Sequence, residues 1–312
     1  MLKIVFMGTP EFSVPILDAL NKEYDVIGVV TQPDKYVGRK KELTFSPVKK
    51  YAIEHNLKVF QPVKIRTDYQ EIIDLEPDLI VTAAYGQIVG TKLLYAPKYK
   101  SINVHGSLLP KHRGGAPIQR AIMNGDKITG ITIMYMEKGM DSGDILSQEE
   151  LVIEDLDTST TLFNKLSILG RDLLMKTIPL LVEGKITPQK QDESMVSYSY
   201  NILPEEERID FSKDAKDVYN LIRSLLDEPG AYFNFIGFEE NTDRIKVLEA
   251  KVGTVLTDKL PGQIVTKSKK FFTMACGNGT TIDIYRIQPF GKKPMPSSDF
   301  INGGLRKYWK EN

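Results

Sequence analysis

The residues best suited to chemistry in this chain are Asn103 and His105, which stand two positions apart in the sequence SINVHG. They alternate with Ile102 and Val104, and this alternation predicts a strand that presents Asn103 and His105 on one face. Gly106 then lets the chain turn out of the sheet. In open α/β sheets the carboxyl ends of the strands form the ligand crevice. An amide donor beside an imidazole at that edge can stabilise an oxyanion and handle a proton, but a hydrogen-bonded structural pair would give the same pattern.

An acidic side chain near His105 would strengthen this hypothesis, and the Gly-rich stretch 137–144 (EKGMDSGD) offers several. A carboxylate beside an imidazole favours the charged ring and fixes its orientation, which suits acid–base chemistry. Because 36 residues separate His105 from Asp141, spacing leaves open whether the two meet or whether the stretch is an ordinary solvated turn. His112 lies between Lys111 and Arg113, and this basic sequence predicts a solvated loop.

Basic residues suggest a polyanionic partner, although 41 basic and 41 acidic side chains cancel over the whole chain. From Arg244 to the end there are 13 Lys or Arg and five Asp or Glu, and the stretch 35–50 is also basic. Two separate basic elements favour an extended polyanion over a mononucleotide, while an ordinary solvated surface remains the alternative. A dinucleotide is disfavoured, because Pro10 and Ser13 occupy the positions of the second and third glycines of a GxGxxG fingerprint.

Composition narrows the class of protein. A chain of 312 residues with 41% hydrophobic and 26% charged residues is typical of a folded protein with more than one domain. No apolar run approaches the ~18 residues that span a bilayer, and the amino terminus lacks the pattern of a signal peptide. A cytoplasmic protein with no membrane partner is therefore expected. The single cysteine, Cys276, and three scattered histidines offer no ligand set for a metal.

The elements that must position Asn103 and His105 follow from apolar periodicity. The first hundred residues alternate between short apolar runs and helical stretches, which predicts a doubly wound, Rossmann-like parallel sheet. Short strands separated by Gly, Pro and Asn turns beyond residue 244 predict a small OB-like β-barrel. We therefore predict a Rossmann-like catalytic domain over 1–189, a polar linker over 190–206 and an OB-like domain over 207–312.

Two strings, 103–110 (NVHGSLLP) and 113–119 (RGGAPIQ), resemble the signature of the folate-dependent formyltransferases. Further strings that resemble this family are spread along the chain: MGTP at 7–10, TQPD at 31–34, AAYG at 83–86, GMDSGD at 139–144 and GKKPM at 291–295. The central signature is shared by members with different acceptors. The second domain and the basic stretch 35–50 resemble those of the members that act on tRNA.

This resemblance implies that 10-formyltetrahydrofolate donates its formyl group to the amino group of methionine esterified to initiator tRNA. It carries the catalytic roles to Asn103 and His105, which would stabilise the oxyanion, and to Asp141, which would orient His105 and relay protons through water. The implied folate-binding residues are Gln87, Ile88, Val89, Ser107, Leu108, Leu109, Pro110, Lys138, Gly139 and Met140. The implied tRNA-binding residues are Lys35, Arg39, Lys40, Lys41, Lys292 and Lys293.

The family expectation is a monomer. One departure from the family pattern is Asp227-Glu228, which stands where relatives have Asn-Pro. Three alternatives remain at this stage. A sugar-nucleotide N-formyltransferase would use the same donor and trio. A non-catalytic RNA-binding module would use the basic residues alone, and a dinucleotide oxidoreductase would need the glycines that are missing here.

Overall fold

The computed structural model describes residues 1–37, 42–226, 228–236, 242–305 and 308. The chain divides into two compact units. The first unit comprises Met1–Pro117, Ile128–Ile153 and Leu162–Tyr200, and the second comprises Ile118–Lys127, Glu154–Thr161 and Asn201–Asn312. Residues 190–200, predicted as the start of a linker, are thus part of the first unit.

The strands of the first unit are β1 (Lys3–Gly8), β2 (Asp25–Val30), β3 (Lys35–Val37), β4 (Glu42–Thr44), β5 (Val59–Phe60), β6 (Leu79–Ala83), β7 (Ser101–His105), β8 (Ile128–Tyr135) and β9 (Ile145–Val152). The helices along the described chain are α1 (Val14–Glu23), α2 (Pro47–Glu54), α3 (Gln70–Ile73), α4 (Thr91–Leu94), α5 (Pro117–Met123), α6 (Ser159–Val182), α7 (Ala215–Ser224) and α8 (Ser297–Gly303).

Seven strands form one sheet in the order β5-β2-β1-β6-β7-β8-β9. The pairs from β5 to β7 are parallel, whereas β8 and β9 are antiparallel to their neighbours. The parallel strands are continuous apolar runs, and Ile4 to Met7 of β1 have no exposed surface. Such runs are typical of strands covered on both faces. The predicted α/β sheet domain is confirmed.

The site depends on how β7 lies in this sheet. It runs parallel to β6 with Thr82 beside Asn103, and antiparallel to β8 with His105 beside Thr132. Val104, on the other face of β7, is 2% exposed and packs against α6 at Gly170. Burial of Val104 therefore fixes the face on which Asn103 and His105 lie, as the alternation predicts.

The second unit contains β10 (Tyr232–Ile236), β11 (Thr242–Val252), β12 (Ile264–Lys267), β13 (Phe272–Ala275), β14 (Thr281–Pro289) and β15 (Met295–Pro296). They form an antiparallel sheet in the order β10-β11-β14-β13-β12, with β15 on β14. An apolar core that includes Val218 and Ile222 of α7 lies against this sheet. The predicted small OB-like β domain is confirmed as an antiparallel sheet, although β10, β15 and α8 were not predicted.

Two short segments from earlier in the chain belong to the second unit because polar side chains hold them there. The Arg120 guanidinium pairs with Glu206 at 2.6 Å. The Arg223 guanidinium donates to the carbonyl oxygens of Glu154 and Asp157, at 3.1 and 2.8 Å. In the described part of the chain, no helix combines the length and apolarity needed to span a bilayer.

Candidate active site

Asn103 lies near the carboxyl end of β7 with its amide held by a neighbouring strand. The Thr82 hydroxyl donates to Asn103 Oδ1 at 2.8 Å. Because this contact uses the amide oxygen, the NH₂ group is the end of the Asn103 side chain that can donate to a ligand. Thr82 is 2% exposed, so its hydroxyl is shielded from competing water.

His105 ends β7 and is 5% exposed. Its Nε2 lies 3.0 Å from the carbonyl oxygen of His112. A carbonyl oxygen only accepts, so Nε2 carries the hydrogen of this bond and Nδ1 is the nitrogen left for proton exchange. Nδ1 lies 3.8 Å from Asp141 Oδ2. The fold thus brings together two residues whose sequence separation left their contact open.

Asp141 is held in a constrained conformation in the turn between β8 and β9. Its φ of 46° is uncommon for a residue with a side chain, although Asp tolerates the left-handed region better than most. The Gly114 N–H donates to Asp141 Oδ2 at 2.8 Å. Gly143 closes the turn, and a Cβ there would lie 1.9 Å from the Tyr135 carbonyl oxygen. The glycine next to Ser142 is therefore a steric requirement of the turn that carries Asp141.

The expectation that His112 and Arg113 are solvated is wrong. His112 is 8% exposed and Arg113 is 2% exposed. His112 Nδ1 lies 2.7 Å from the Ser199 hydroxyl, and the Arg113 guanidinium pairs with Glu193 at 2.8 Å. Partners from the segment 193–199 satisfy these polar groups, so burial does not leave them unpaired.

The first segment of the implied folate site follows β6. The Gln87 side chain accepts from the Ile65 N–H at 2.9 Å and donates to Gln32 Oε1 at 3.2 Å, so it joins loops of the protein. Ile88 is 78% exposed, whereas Val89 is 8% exposed and belongs to the core. Ile88 is the side chain of this segment that a ligand can cover.

The second implied segment follows β7, and side chains of β8 and β9 hydrogen-bond to its main chain. Ser107 and Leu109 are buried. The Thr132 hydroxyl donates to the Ser107 carbonyl at 2.7 Å, and Gln148 Nε2 donates to the Leu109 carbonyl at 2.8 Å. These bonds fix the course of the main chain from Ser107 to Pro110, with Leu108 and Pro110 partly exposed.

The third implied segment, 138–140, leads directly into Asp141 and is exposed, with Met140 52% exposed. Glu137, at the start of this turn, accepts a hydrogen bond from the Tyr95 hydroxyl, which raises the pKa of Tyr95. The turn is thereby attached to the end of α4. All three implied folate segments lie in the first unit, in loops that follow strands of its sheet.

The implied tRNA-binding residues are placed separately. Lys35 is exposed on β3, and Lys292 and Lys293 are exposed in the turn after β14. Arg39, Lys40 and Lys41 lie outside the described residues, as does Asp227. The structure therefore describes exposed lysines in each unit.

Thr82, Gly114 and Gln191 contact the predicted trio and were not predicted as site residues. Gln191 Nε2 donates to the carbonyl oxygens of Asp141 and Gly143, at 2.7 and 2.8 Å. Thr82 could have been found from its place beside Asn103 in a parallel sheet. Gln191 gives no such signal, because it stands in a polar stretch that is typical of a linker. In the described residues, no group of three or more His, Cys, Asp or Glu side chains is placed to hold a metal.

Comparisons with known proteins show the family of this chain. Residues 2–178 match the family described as Formyl transferase, and residues 201–305 match Formyl transferase, C-terminal domain. The methionyl-tRNA formyltransferase of Bacillus cytotoxicus is 52% identical over 306 residues, which cover 97% of this chain and 96% of that protein. The corresponding enzyme of Lactiplantibacillus plantarum is 50% identical over 312 residues, covering 99% and 97%.

Among solved structures, the chain is similar to the N-formyltransferase from Helicobacter canadensis in complex with folinic acid and dTDP-3-aminofucose. The TM-score is 0.69 with 20% identity, over 93% of this chain and 100% of that chain. This likeness shows the fold. The matches to both domains, together with the identity along nearly the whole length, show that the chain belongs to the formyltransferase family, among the methionyl-tRNA formyltransferases.

Proposed function

We propose that this chain transfers the formyl group of 10-formyltetrahydrofolate to the amino group of methionine on initiator tRNA. The observation that carries the proposal is the meeting of His105 with Asp141, at 3.8 Å, on the strand edge that also presents Asn103. Formyl transfer to an amine needs donors for an oxyanion and a group that accepts a proton, and these residues supply both. The sequence identity to methionyl-tRNA formyltransferases supports the choice of acceptor.

The amine attacks the formyl carbon, and negative charge develops on the formyl oxygen. The Asn103 amide, held by Thr82, and the His105 ring stabilise that oxygen with hydrogen bonds. A preformed orientation matters because the donors then need no rearrangement during the reaction.

His105 exchanges its proton through Nδ1, because Nε2 is engaged with the His112 carbonyl. The 3.8 Å between Nδ1 and Oδ2 exceeds a direct hydrogen bond and suits a proton path through a substrate group or a water that contacts both. The proton lost by the attacking amine can thus reach the folate nitrogen that departs.

The folate co-substrate is held by the three segments that border this edge, 87–89, 107–110 and 138–140. Two features support this assignment. Ile88 and Met140 expose apolar surface that a pterin ring can cover. The main chain from Ser107 to Leu109 is fixed by Thr132 and Gln148, so it can present its remaining polar groups in one geometry.

The tRNA is bound by basic side chains, of which Lys35, Lys292 and Lys293 are exposed. Together with Arg39, Lys40 and Lys41 they contact phosphates, which position the nucleic acid without reading its sequence. We infer that the enzyme acts in the cytoplasm as a monomer and without a metal. Analytical ultracentrifugation at the assay concentration tests the monomeric state. Turnover that is unchanged by a chelator would support activity without a metal.

The acceptor is tested by comparing kcat/KM with four amines: methionyl-initiator tRNA, methionyl-elongator tRNA, free methionine and a dTDP-linked amino sugar. The proposal expects efficient transfer to the initiator tRNA and little to the other three. Transfer to the amino sugar alone would retain the trio and refute the tRNA assignment. If none of the four amines is formylated, the proposed formyl transfer is refuted.

A further inference from the structure

A buried hydrogen-bond network lies behind Asp141, and no step of the proposed reaction uses it. Its centre is Gln191, which is 8% exposed. Both hydrogen bonds of Gln191 Nε2 go to the catalytic turn, to the carbonyl oxygens of Asp141 and Gly143. Gln191 Oε1 accepts from Arg113 Nε at 2.9 Å. The amide is therefore oriented at both ends.

Arg113 gives this network a fixed base. Burial lowers the pKa of Arg113, but the hydrogen bonds and charges of Glu193 and Tyr198 together outweigh it and raise the pKa, so the guanidinium stays charged. The main chain of Arg113 is held as well, since its N–H donates to the Ser197 carbonyl at 2.8 Å and its carbonyl accepts from the Ser199 N–H at 2.7 Å. The next residue, Gly114, is the one that donates to the Asp141 carboxylate.

Asp141 is thus fixed at two points by one structure. Gly114 holds the carboxylate, while Gln191 holds the main chain on either side of Ser142. The left-handed φ of Asp141 needs such support, because that conformation persists only where the surroundings enforce it. Relaxation of the turn would change the distance between Asp141 Oδ2 and His105 Nδ1.

We propose that Gln191 is a positioning residue of the active site, which acts through Asp141, and that Arg113 sets the orientation of its amide. Glutamine suits this position because its amide has two N–H donors for the carbonyl oxygens of Asp141 and Gly143 and an oxygen that accepts from Arg113. Glutamate would keep the size and the contact with Arg113, but it would turn an oxygen toward two carbonyl oxygens. This inference rests on the proposed function for its assay only, since the network itself is a structural observation.

The test compares Gln191→Glu with the wild type in steady-state formyl transfer to methionyl-initiator tRNA. We expect kcat to fall by about 10- to 100-fold, as is usual when the support of a catalytic group is lost, with each KM within about threefold. The matched control is Gln189→Glu, the same change on an exposed side chain of the same segment, which should leave kcat unchanged. Gln191→Met, which has no donor, should behave like Gln191→Glu.

A double-mutant cycle separates positioning from a general loss of structure. If Gln191 acts through Asp141, adding Gln191→Glu to Asp141→Asn should lower kcat by less than about threefold further. A loss as large as in the single variant would overturn the proposal, and so would a kcat of Gln191→Glu and Gln191→Met close to that of the wild type. A wild type that formylates no methionyl-tRNA would refute the proposed function instead, so the two failures are distinguishable.

Discussion

Replacing Asp141 by Asn separates the effect of its charge from the effect of the conformation of the turn that carries it. Asn tolerates the left-handed φ of 46° as Asp does, and its side-chain oxygen can still accept from the Gly114 N–H. The turn should therefore keep its conformation while the negative charge opposite His105 disappears. The far-UV circular dichroism and thermal midpoint should match those of the wild type.

The expected size of the effect follows from the distance. Unit charges 3.8 Å apart attract by about 4 kcal/mol at an effective dielectric constant of ~20. Asp141 is 21% exposed, so solvent screening reduces this value. Since about 1.4 kcal/mol corresponds to a tenfold change in rate, we expect kcat to fall between roughly 10²- and 10³-fold.

The assay is single-turnover formyl transfer with saturating folate donor and methionyl-initiator tRNA. Asp172→Asn, the same change on a half-exposed side chain of α6, is the control and should keep the wild-type rate. A rate for Asp141→Asn within about threefold of the wild type would refute the reasoning, because no charge interaction of the expected size would then contribute to the transition state.

Three further predictions concern residues around and away from the trio. Thr82→Val should lower kcat about tenfold, because Asn103 loses the donor that orients its amide, whereas Thr82→Ser should restore most of it; equal rates would exclude that role. Gly114→Ala should lower kcat by more than about tenfold, because the φ of Gly114 is +123° and a Cβ would lie 2.6 Å from the Ser199 carbonyl oxygen, which displaces the N–H that Asp141 accepts from. An unaffected rate would show that the position of the Gly114 N–H does not matter. Cys276 should resist iodoacetamide at pH ~8 in the native protein and react on unfolding, because burial raises the pKa of its thiol to about 12 and the thiolate is the reactive form. Rapid labelling of the native protein would contradict this expectation.

The sequence predicted the strand that carries Asn103 and His105 well, because a single physical pattern determines it. Alternation of Ile102 and Val104 with Asn103 and His105 gives both the limits of β7 and the face that meets the site. Continuous apolar runs similarly predicted the parallel strands, because both faces of those strands are covered.

What the sequence did not predict depends on contacts between distant residues. Arg113 looks solvated because charged residues usually are, yet Glu193 and Gln191 satisfy its guanidinium from about 80 positions away. The stretch after residue 189 looks like a linker because it is polar, yet its side chains Gln191 and Glu193 hold Arg113 and the turn that carries Asp141. No local sequence pattern distinguishes a polar residue that pairs with a side chain distant in the sequence from one that faces solvent.

We propose above all that His105, which the fold places beside Asp141, assists the transfer of a formyl group from 10-formyltetrahydrofolate to methionyl-tRNA. The most direct measurement follows labelled formyl from 10-formyltetrahydrofolate to methionyl-initiator tRNA in a single turnover, with the wild type and with His105→Ala. The account predicts N-formylmethionine with the wild type and a rate lower by orders of magnitude with His105→Ala, while the donor still binds. Equal rates for the two proteins would contradict it, as would label that never reaches the methionine nitrogen.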